Sequence, residues 1–294
     1  MKNKILTGLL LVLIGGWGSL SAQSAGSNYA RQVNTLIGTK GVGLTSGYLY
    51  PGATYPYGMV QFTPSYFSKR SGFVINQLSG GGCEHMGNFP TFPVKGKLKM
   101  SPDNILNYRI NISEEKGHAG YYEAMVQEDI KAKLTVTERT GMASYEYPAD
   151  QQYGTVIIGG GISATPIDQA AIVITAPNKC EGYAEGGNFC GLRTPYKVYF
   201  VAEFDTDALE SGTWKRDELK PNTTFAEGEY SGVYFTFDVN KKKNIQYKIG
   251  VSYVSVENAR ENLKAENTGW DFLQIQNQAE SKWNHYLGKI EVEG

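Results

Sequence analysis

The chain has 294 residues, a formal net charge of −1, 41% hydrophobic and 12% aromatic residues, with 35 glycines and 11 prolines. That length accommodates one large domain or two small ones. The near-neutral balance gives no sign of a nucleic-acid partner, which requires a basic patch, and three histidines without ligand spacing (His85, His118, His285) argue against a zinc centre.

Lys2 and Lys4 precede an apolar run from Ile5 to Ile14, and Ser21-Ala22 supplies small residues for cleavage. The pattern predicts a secretory signal peptide over residues 1–24, cut between Ala22 and Ala25. The run is too short to span a bilayer comfortably, and no second transmembrane candidate follows. The expected location is periplasmic or extracellular, and loss of the two lysines takes the net charge to about −3. In that setting Cys180 and Cys190 can pair across the loop E-G-Y-A-E-G-G-N-F, which leaves Cys83 over.

Residues 25–49 are polar and glycine-rich apart from V-N-T-L-I-G-T at 33–39. Between Tyr50 and Gly96, Pro51, Pro56, Pro64, Pro90 and Pro93 each remove a backbone donor, so short extended pieces and tight turns are expected in place of a long helix. Gly80, Gly81 and Gly82 allow unusual backbone conformations or close approach to a ligand. Asn76, Gln77, Ser79, Cys83, Glu84, His85 and Asn88 flank them. Two readings stand side by side: a ligand-facing loop, and a packed turn cluster in a β-protein.

From about residue 118 the pattern becomes regular. Gly120–Gln127, Ile130–Arg139 and Met142–Tyr147 read as successive strands. In the second, Ala132, Leu134 and Val136 alternate with Lys131, Lys133, Thr135 and Thr137, the period of a half-buried strand. Tyr196, Val198, Phe200, Ala202 and Phe204 fall on one face. So do Ile245, Tyr247, Ile249, Val251 and Tyr253, opposite Gln246, Lys248, Gly250 and Ser252. Thr155–Ile158, Gln169–Thr175 and Gly232–Val239 add three more strands. Many strands without intervening helices predict a mainly β chain, a large antiparallel β-sandwich or barrel over residues 25–254. Gly159-Gly160-Gly161 reads as a turn, since G-x-G-x-x-G and a following helix are missing.

The character changes at Ser255, a fitting N-cap for a helix over Val256–Glu266. A second helix runs from about Trp270 to Leu287, with Phe272, Ile275, Ala279, Trp283, Tyr286 and Leu287 on one face. Gly288–Glu291 reads as extended. Periodicity does not decide whether this two-helix linker, residues 255–294, folds back onto the sandwich or awaits a further domain.

Chemistry is sparse. Nucleophile elbow, metal-protease helix, P-loop and EF-hand are all missing. Sugar hydrolysis needs two carboxylates about one pocket, and the glycine-rich stretch offers Glu84 alone, with Asp103 farther along. Glu114, Glu115 and Lys116 read as a solvated loop. No residue is assigned as catalytic or metal-ligating.

V-N-T-L-I-G-T (33–39), P-G-A-T-Y-P-Y-G-M-V-Q (51–61), G-F-V-I-N-Q-L-S-G-G-G-C (72–83) and G-N-F-P-T-F-P (87–93) resemble the N-terminal domain of glycoside hydrolase family 92. A-G-Y-Y-E-A (119–124), L-T-V-T-E-R-T-G-M-A (134–143) and the terminal W-D-F…A-E-S-K-W extend the resemblance in order across nearly all of the mature chain. It implies an exported, calcium-dependent, inverting exo-α-mannosidase of the kind common in glycan-degrading Bacteroidetes, including N-glycan degraders. Its β-sandwich is joined by a helix pair to an (α/α)₆-type barrel, and the active site lies between the two. Acid, base and calcium ligands belong to the barrel, so none is inherited here and no calcium is expected on this chain's residues. The substrate rim is implied for the loop Asn76, Gln77, Ser79, Gly81, Cys83, Glu84, His85 and Asn88. The chain departs from the family at Gln77 and Asn88, where many relatives carry histidine and an acidic residue.

The resemblance implies a mannose-containing glycan as ligand and a helical catalytic domain, in cis or in trans, as partner. By itself the chain is expected to lack turnover and to associate through its linker. The alternatives are a stand-alone glycan-binding module and a docking subunit for a separate helical protein.

Overall fold

The computed structural model describes residues 28–39, 49–65, 72–83, 85–102 and 111–292. Residues 1–24, where a signal peptide is expected, lie outside them. In chain order the elements are α1 (Tyr29–Gln32), β1 (Ala53–Thr54), β2 (Gln61–Pro64), β3 (Phe73–Val74), β4 (Thr91–Lys95), β5 (Ile112–His118), β6 (Tyr121–Val126), β7 (Ile130–Val136), β8 (Thr140–Glu146), β9 (Tyr153–Gly159), β10 (Ile167–Ala176), β11 (Lys179–Phe189), β12 (Leu192–Phe204), β13 (Glu210–Lys215), β14 (Glu218–Pro221), β15 (Phe225–Glu227), β16 (Ser231–Asp238), β17 (Asn244–Ser252), α2 (Val256–Glu266) and α3 (Phe272–Leu287).

The strands form two antiparallel sheets, in the orders β1-β2-β3-β4-β9-β16-β13-β14 and β15-β10-β11-β12-β17-β8-β7-β6-β5. The mainly β architecture is as expected. Rings from the two sheets meet between the layers. Phe73 lies 6.3 Å from both Tyr122 and Tyr145, and Phe204 lies 5.0 Å from Phe235 and 5.1 Å from Phe237. Ala132, Leu134 and Val136 point into this core, as their alternation requires.

The opposite face of the second sheet is buried more than alternation predicts. Thr135 is fully buried and donates to Gly120 O at 2.9 Å. Lys248 and Ser252 are buried too. The reason is that the two C-terminal helices fold back. Helix α2 lies across β17 and β12, and α3 lies on α1, β6, β7 and β8. Ser255 caps α2 by accepting from Asn258 N at 3.1 Å, and Asp271 caps α3 by accepting from Gln274 N at 3.0 Å. At the C-terminal end of α2, Lys248 donates to Asn267 O at 3.0 Å and lies 4.4 Å from the Trp270 ring. A cation is favourably placed at a helix C-terminus.

Three local expectations are corrected. Glu114, Glu115 and Lys116 lie within β5, an edge strand whose register shifts between Ser113 and Lys116; charge on an edge strand discourages further strand addition. Gly288 to Ile290 form a turn, because Gly288 N donates to Asn284 O and Lys289 N to Tyr286 O. Cys180 and Cys190 do not pair. The intervening residues are the extended strand β11, and ten steps along a strand separate the two by about 33 Å. Cys83 and Cys190 form the disulfide instead, with Cα atoms 5.5 Å apart. Cys180 is the free, buried cysteine, and burial pushes its thiol far above the ordinary range.

The glycine of P-G-A-T has a packing role. A β-carbon on Gly52 would fall 2.2 Å from both Phe62 O and Thr63 Cβ, while Gly52 N donates to Thr63 Oγ1 at 3.0 Å. Gly52→Ala is expected to destabilise the protein by about 2 kcal/mol through overpacking of β1 on β2. Urea denaturation checks this, and an unchanged midpoint would contradict it.

Candidate functional site

Strand β2, the segment 76–79 that follows β3, the turn Tyr55–Met59 and helix α3 border an open cleft of about 260 Å³. Its walls include Thr54, Met59, Gln61, Asn76, Gln77, Leu78, Ser79, Met86, Tyr253 and Trp283. Proline dictates the local shape. Pro51, Pro56 and Pro64 keep the pieces short, and the backbone turns at Tyr57, which adopts φ 61° beside Pro56 and is 87% exposed. Met59 N donates to Glu138 O at 2.8 Å, which ties the turn to the second sheet.

The polar groups of the cleft are prearranged. Ser79 accepts from Gln61 Nε2 at 2.7 Å and donates to Gln61 Oε1 at 3.2 Å. Asn76 Nδ2 donates to Asn88 Oδ1 at 3.0 Å and to Tyr253 Oη at 3.4 Å, while Asn88 N donates back to Asn76 Oδ1 at 2.7 Å. Tyr196 Oη donates to Asn88 Oδ1 at 2.9 Å. Burial pushes the Tyr196 phenol up to about 12, so it keeps the proton it donates. Gln77 Nε2 donates to His85 O at 2.9 Å. Gly87 takes φ 73°, a conformation that favours glycine, and a β-carbon there would also meet Gln77 Oε1 at 2.6 Å. Gln77 Oε1 and Asn88 Nδ2 are buried without a hydrogen-bond partner among the described residues. On the α3 side, Trp283 Nε1 donates to Thr54 O at 2.7 Å.

The eight residues singled out by sequence divide. Asn76, Gln77 and Ser79 line the cleft. Asn88 lies behind them as a fully buried bracket. Gly81, Cys83 and His85 face the tip of the β11–β12 hairpin: Cys83 through the disulfide, and His85 through Asn188 O at 3.1 Å and the Phe189 ring at 4.9 Å. Glu84 lies outside the described residues. Sequence reasoning missed Gln61, Met86, Tyr253 and Trp283. Trp283 was legible only as part of an apolar helix face, which does not distinguish a cleft wall from core.

Among the described residues that line this cleft there is no carboxylate, histidine, lysine or arginine. Amide and hydroxyl groups beside a thioether and aromatic rings suit a neutral, many-hydroxyl ligand. They supply neither acid nor base. Among the described residues no group of three or more His, Cys, Asp or Glu side chains converges. Among the described residues no helix is long and apolar enough to cross a membrane.

Residues 32–252 match the model of the glycosyl hydrolase family 92 N-terminal domain, and residues 258–294 match that of the family's catalytic domain. An uncharacterized secreted glycosidase of Arthroderma benhamiae is 26% identical over 89% of this chain and 38% of its own length. A family 92 α-mannosidase from Bacteroides thetaiotaomicron, solved with mannoimidazole, superposes with a TM-score of 0.79 at 24% identity, covering 90% of this chain and 38% of that one. An inverting family 92 mannosidase from the same organism gives 0.76 at 25% identity over 89% and 36%. The chain thus spans little more than a third of these relatives.

Proposed function

Because the chain belongs to glycosyl hydrolase family 92, we propose that it is the substrate-rim portion of an exported exo-α-mannosidase that removes terminal α-linked mannose from glycans. The observation that supports this most is the composition of the cleft. Gln61, Asn76, Gln77 and Ser79 come from the segment matching the N-terminal domain, and Trp283 comes from the segment matching the catalytic domain. The cleft is therefore built where the two parts of a family member join. Its neutral groups hydrogen-bond sugar hydroxyls, and its apolar groups pack against the C–H faces of the ring. In this reading the acid, the base and the calcium ligands reside in a helical domain reached through α3, in cis or in trans.

Two measurements test it. Protein isolated from its own cells is expected to have a mass well above that of residues 23–294 and to release mannose from α-mannosides. Residues 23–294 alone are expected to release none; calcium-dependent release by that segment would overturn the assignment of chemistry elsewhere. In the active, native-length protein, Gln61→Ala is expected to raise KM about tenfold, the equivalent of one lost hydrogen bond. An unchanged KM would remove the cleft from the substrate rim.

A further inference from the structure

We infer that the tip of the β11–β12 hairpin is a splint that fixes the glycine loop at the mouth of the cleft, with the Cys83–Cys190 disulfide as its pin. The inference rests on the glycan-binding reading of that cleft. Phe189 pairs with Leu192 across the hairpin end, leaving Cys190 and Gly191 as a two-residue turn. Their φ angles are 51° and 83°. Turns of this kind select Asn, Asp or Gly, because both central residues are left-handed. Cysteine is disfavoured there, since its β-carbon crowds the following carbonyl. What Cys190 gains at that position is a bond to Cys83, 107 residues away in sequence. A residue that breaks a local rule marks a position chosen for something other than local preference.

The rest of the tip acts in the same direction. Asn188 O accepts from His85 at 3.1 Å; a carbonyl can only accept, so His85 Nδ1 carries the hydrogen. The Phe189 ring stands against His85 and lies 3.5 Å from where a β-carbon on Gly81 would be. Gly191 N donates to Asn188 Oδ1 at 3.0 Å and closes the tip on itself. At its other end the loop reaches the cleft: Leu78 and Ser79 line it, and Ser79 is bonded to Gln61. Between these anchorages Gly80 and Gly82 take φ 73° and 76°, and a β-carbon on Gly82 would meet nothing within 4 Å. A glycine run loses more conformational freedom on ordering than any other sequence. Among the described residues nothing packs where a side chain of Gly82 would stand, and the hairpin tip grips the run on either side of it, through Phe189 at Gly81 and the disulfide at Cys83.

The test uses mature protein at its native length, in two variants. In Cys83→Ser/Cys190→Ser, amide hydrogen exchange over residues 78–83 is expected to rise at least about tenfold while β8 and β17 stay protected. Affinity for α-mannobiose is expected to fall about tenfold, because the loop must then be ordered on binding. Phe189→Ala keeps the disulfide and removes the wedge; exchange over 78–83 is expected to rise several-fold. Unchanged exchange over 78–83 in both variants overturns the inference. Faster exchange with unchanged mannobiose affinity also overturns it, because the loop then does not shape the cleft. Failure of the unaltered protein to bind or cleave any α-mannoside sinks the glycan reading instead, and the exchange result alone then decides whether the tip orders the loop.

Discussion

Replacing Cys83 and Cys190 together by alanine is expected to lower the unfolding free energy by about 4 kcal/mol. The two residues are 107 apart in sequence, and closing a loop of about 100 residues removes roughly 4–5 kcal/mol of chain entropy from the unfolded state, with measured values for disulfides running from about 2 to 5. In a chain of this size the loss corresponds to about 10 °C in Tm. Cys180→Ala is the control. Its thiol is free and fully buried, so only packing is lost there, about 1 kcal/mol. Guanidinium denaturation of all three proteins, with peptide mapping of the unreduced parent, gives the answer. A linked Cys83–Cys190 peptide and a thiol at Cys180 that reacts only on unfolding are expected. A Cys180–Cys190 peptide, or a double variant as stable as the parent, would refute the account.

Glu280→Ala is expected to cost about 3 kcal/mol and to loosen α3 before the sandwich unfolds. The carboxylate is buried on α3 and accepts from Arg31 Nε at 3.0 Å and from Gln276 Nε2 at 2.7 Å, with His118 Nε2 at 3.5 Å. It thereby joins α1, β5 and α3. Removing the anion of a buried pair typically costs about 3–5 kcal/mol; Arg31 is half exposed and can rehydrate, which places this case at the lower end. Burial is the largest single influence on the Glu280 carboxyl and pushes its pKa up. The hydrogen bonds from Gln276 and Arg31 together with the His118 and Arg31 charges outweigh it, and the net direction is below the ordinary 4.5. A carboxyl depressed in the folded state contributes stability that is full above its unfolded pKa and is lost as pH falls through the folded one. The clasp is therefore expected to weaken below pH 4.5. Measured from pH 7 to pH 3, the part of the tryptophan fluorescence that Trp283→Phe removes reports α3 docking and should change earlier in acid than the far-ultraviolet strand signal, and Glu280→Ala should abolish the separation. Coincident transitions in the parent would show that Glu280 does not control the docking.

The strands that the sequence made legible are those whose two faces differ. Ala132, Leu134 and Val136, and likewise Ile245, Tyr247, Ile249 and Val251, alternate with polar residues and do point into the core. Alternation reports which face is inward. It does not report whether the other face is wet, and Thr135 and Lys248 were misplaced for that reason. The strand β11 escaped notice because Gly182, Gly186 and Gly187 dilute its pattern within a stretch that also invited a short disulfide loop. At the candidate site, the glycine loop and its amides stood out by composition. The Asn76–Asn88 bracket and the wall formed by Tyr253 and Trp283 did not, since their members lie far apart in the chain.

The sequence by itself determined the mainly β class, the inward faces of the principal strands, the capped starts of α2 and α3 and the family. Each of these is written in spacing, capping chemistry or ordered motifs within a few residues of one another. The tertiary structure alone decided that Cys83 pairs with Cys190, that α2 and α3 close over the outer face of a sheet, and that Gln61, Asn76, Ser79 and Trp283 share one neutral cleft. Those facts depend on which distant segments are brought together when the two sheets bury their apolar faces. No local pattern encodes that, because hydrophobic burial is non-directional and is satisfied only by the chain as a whole.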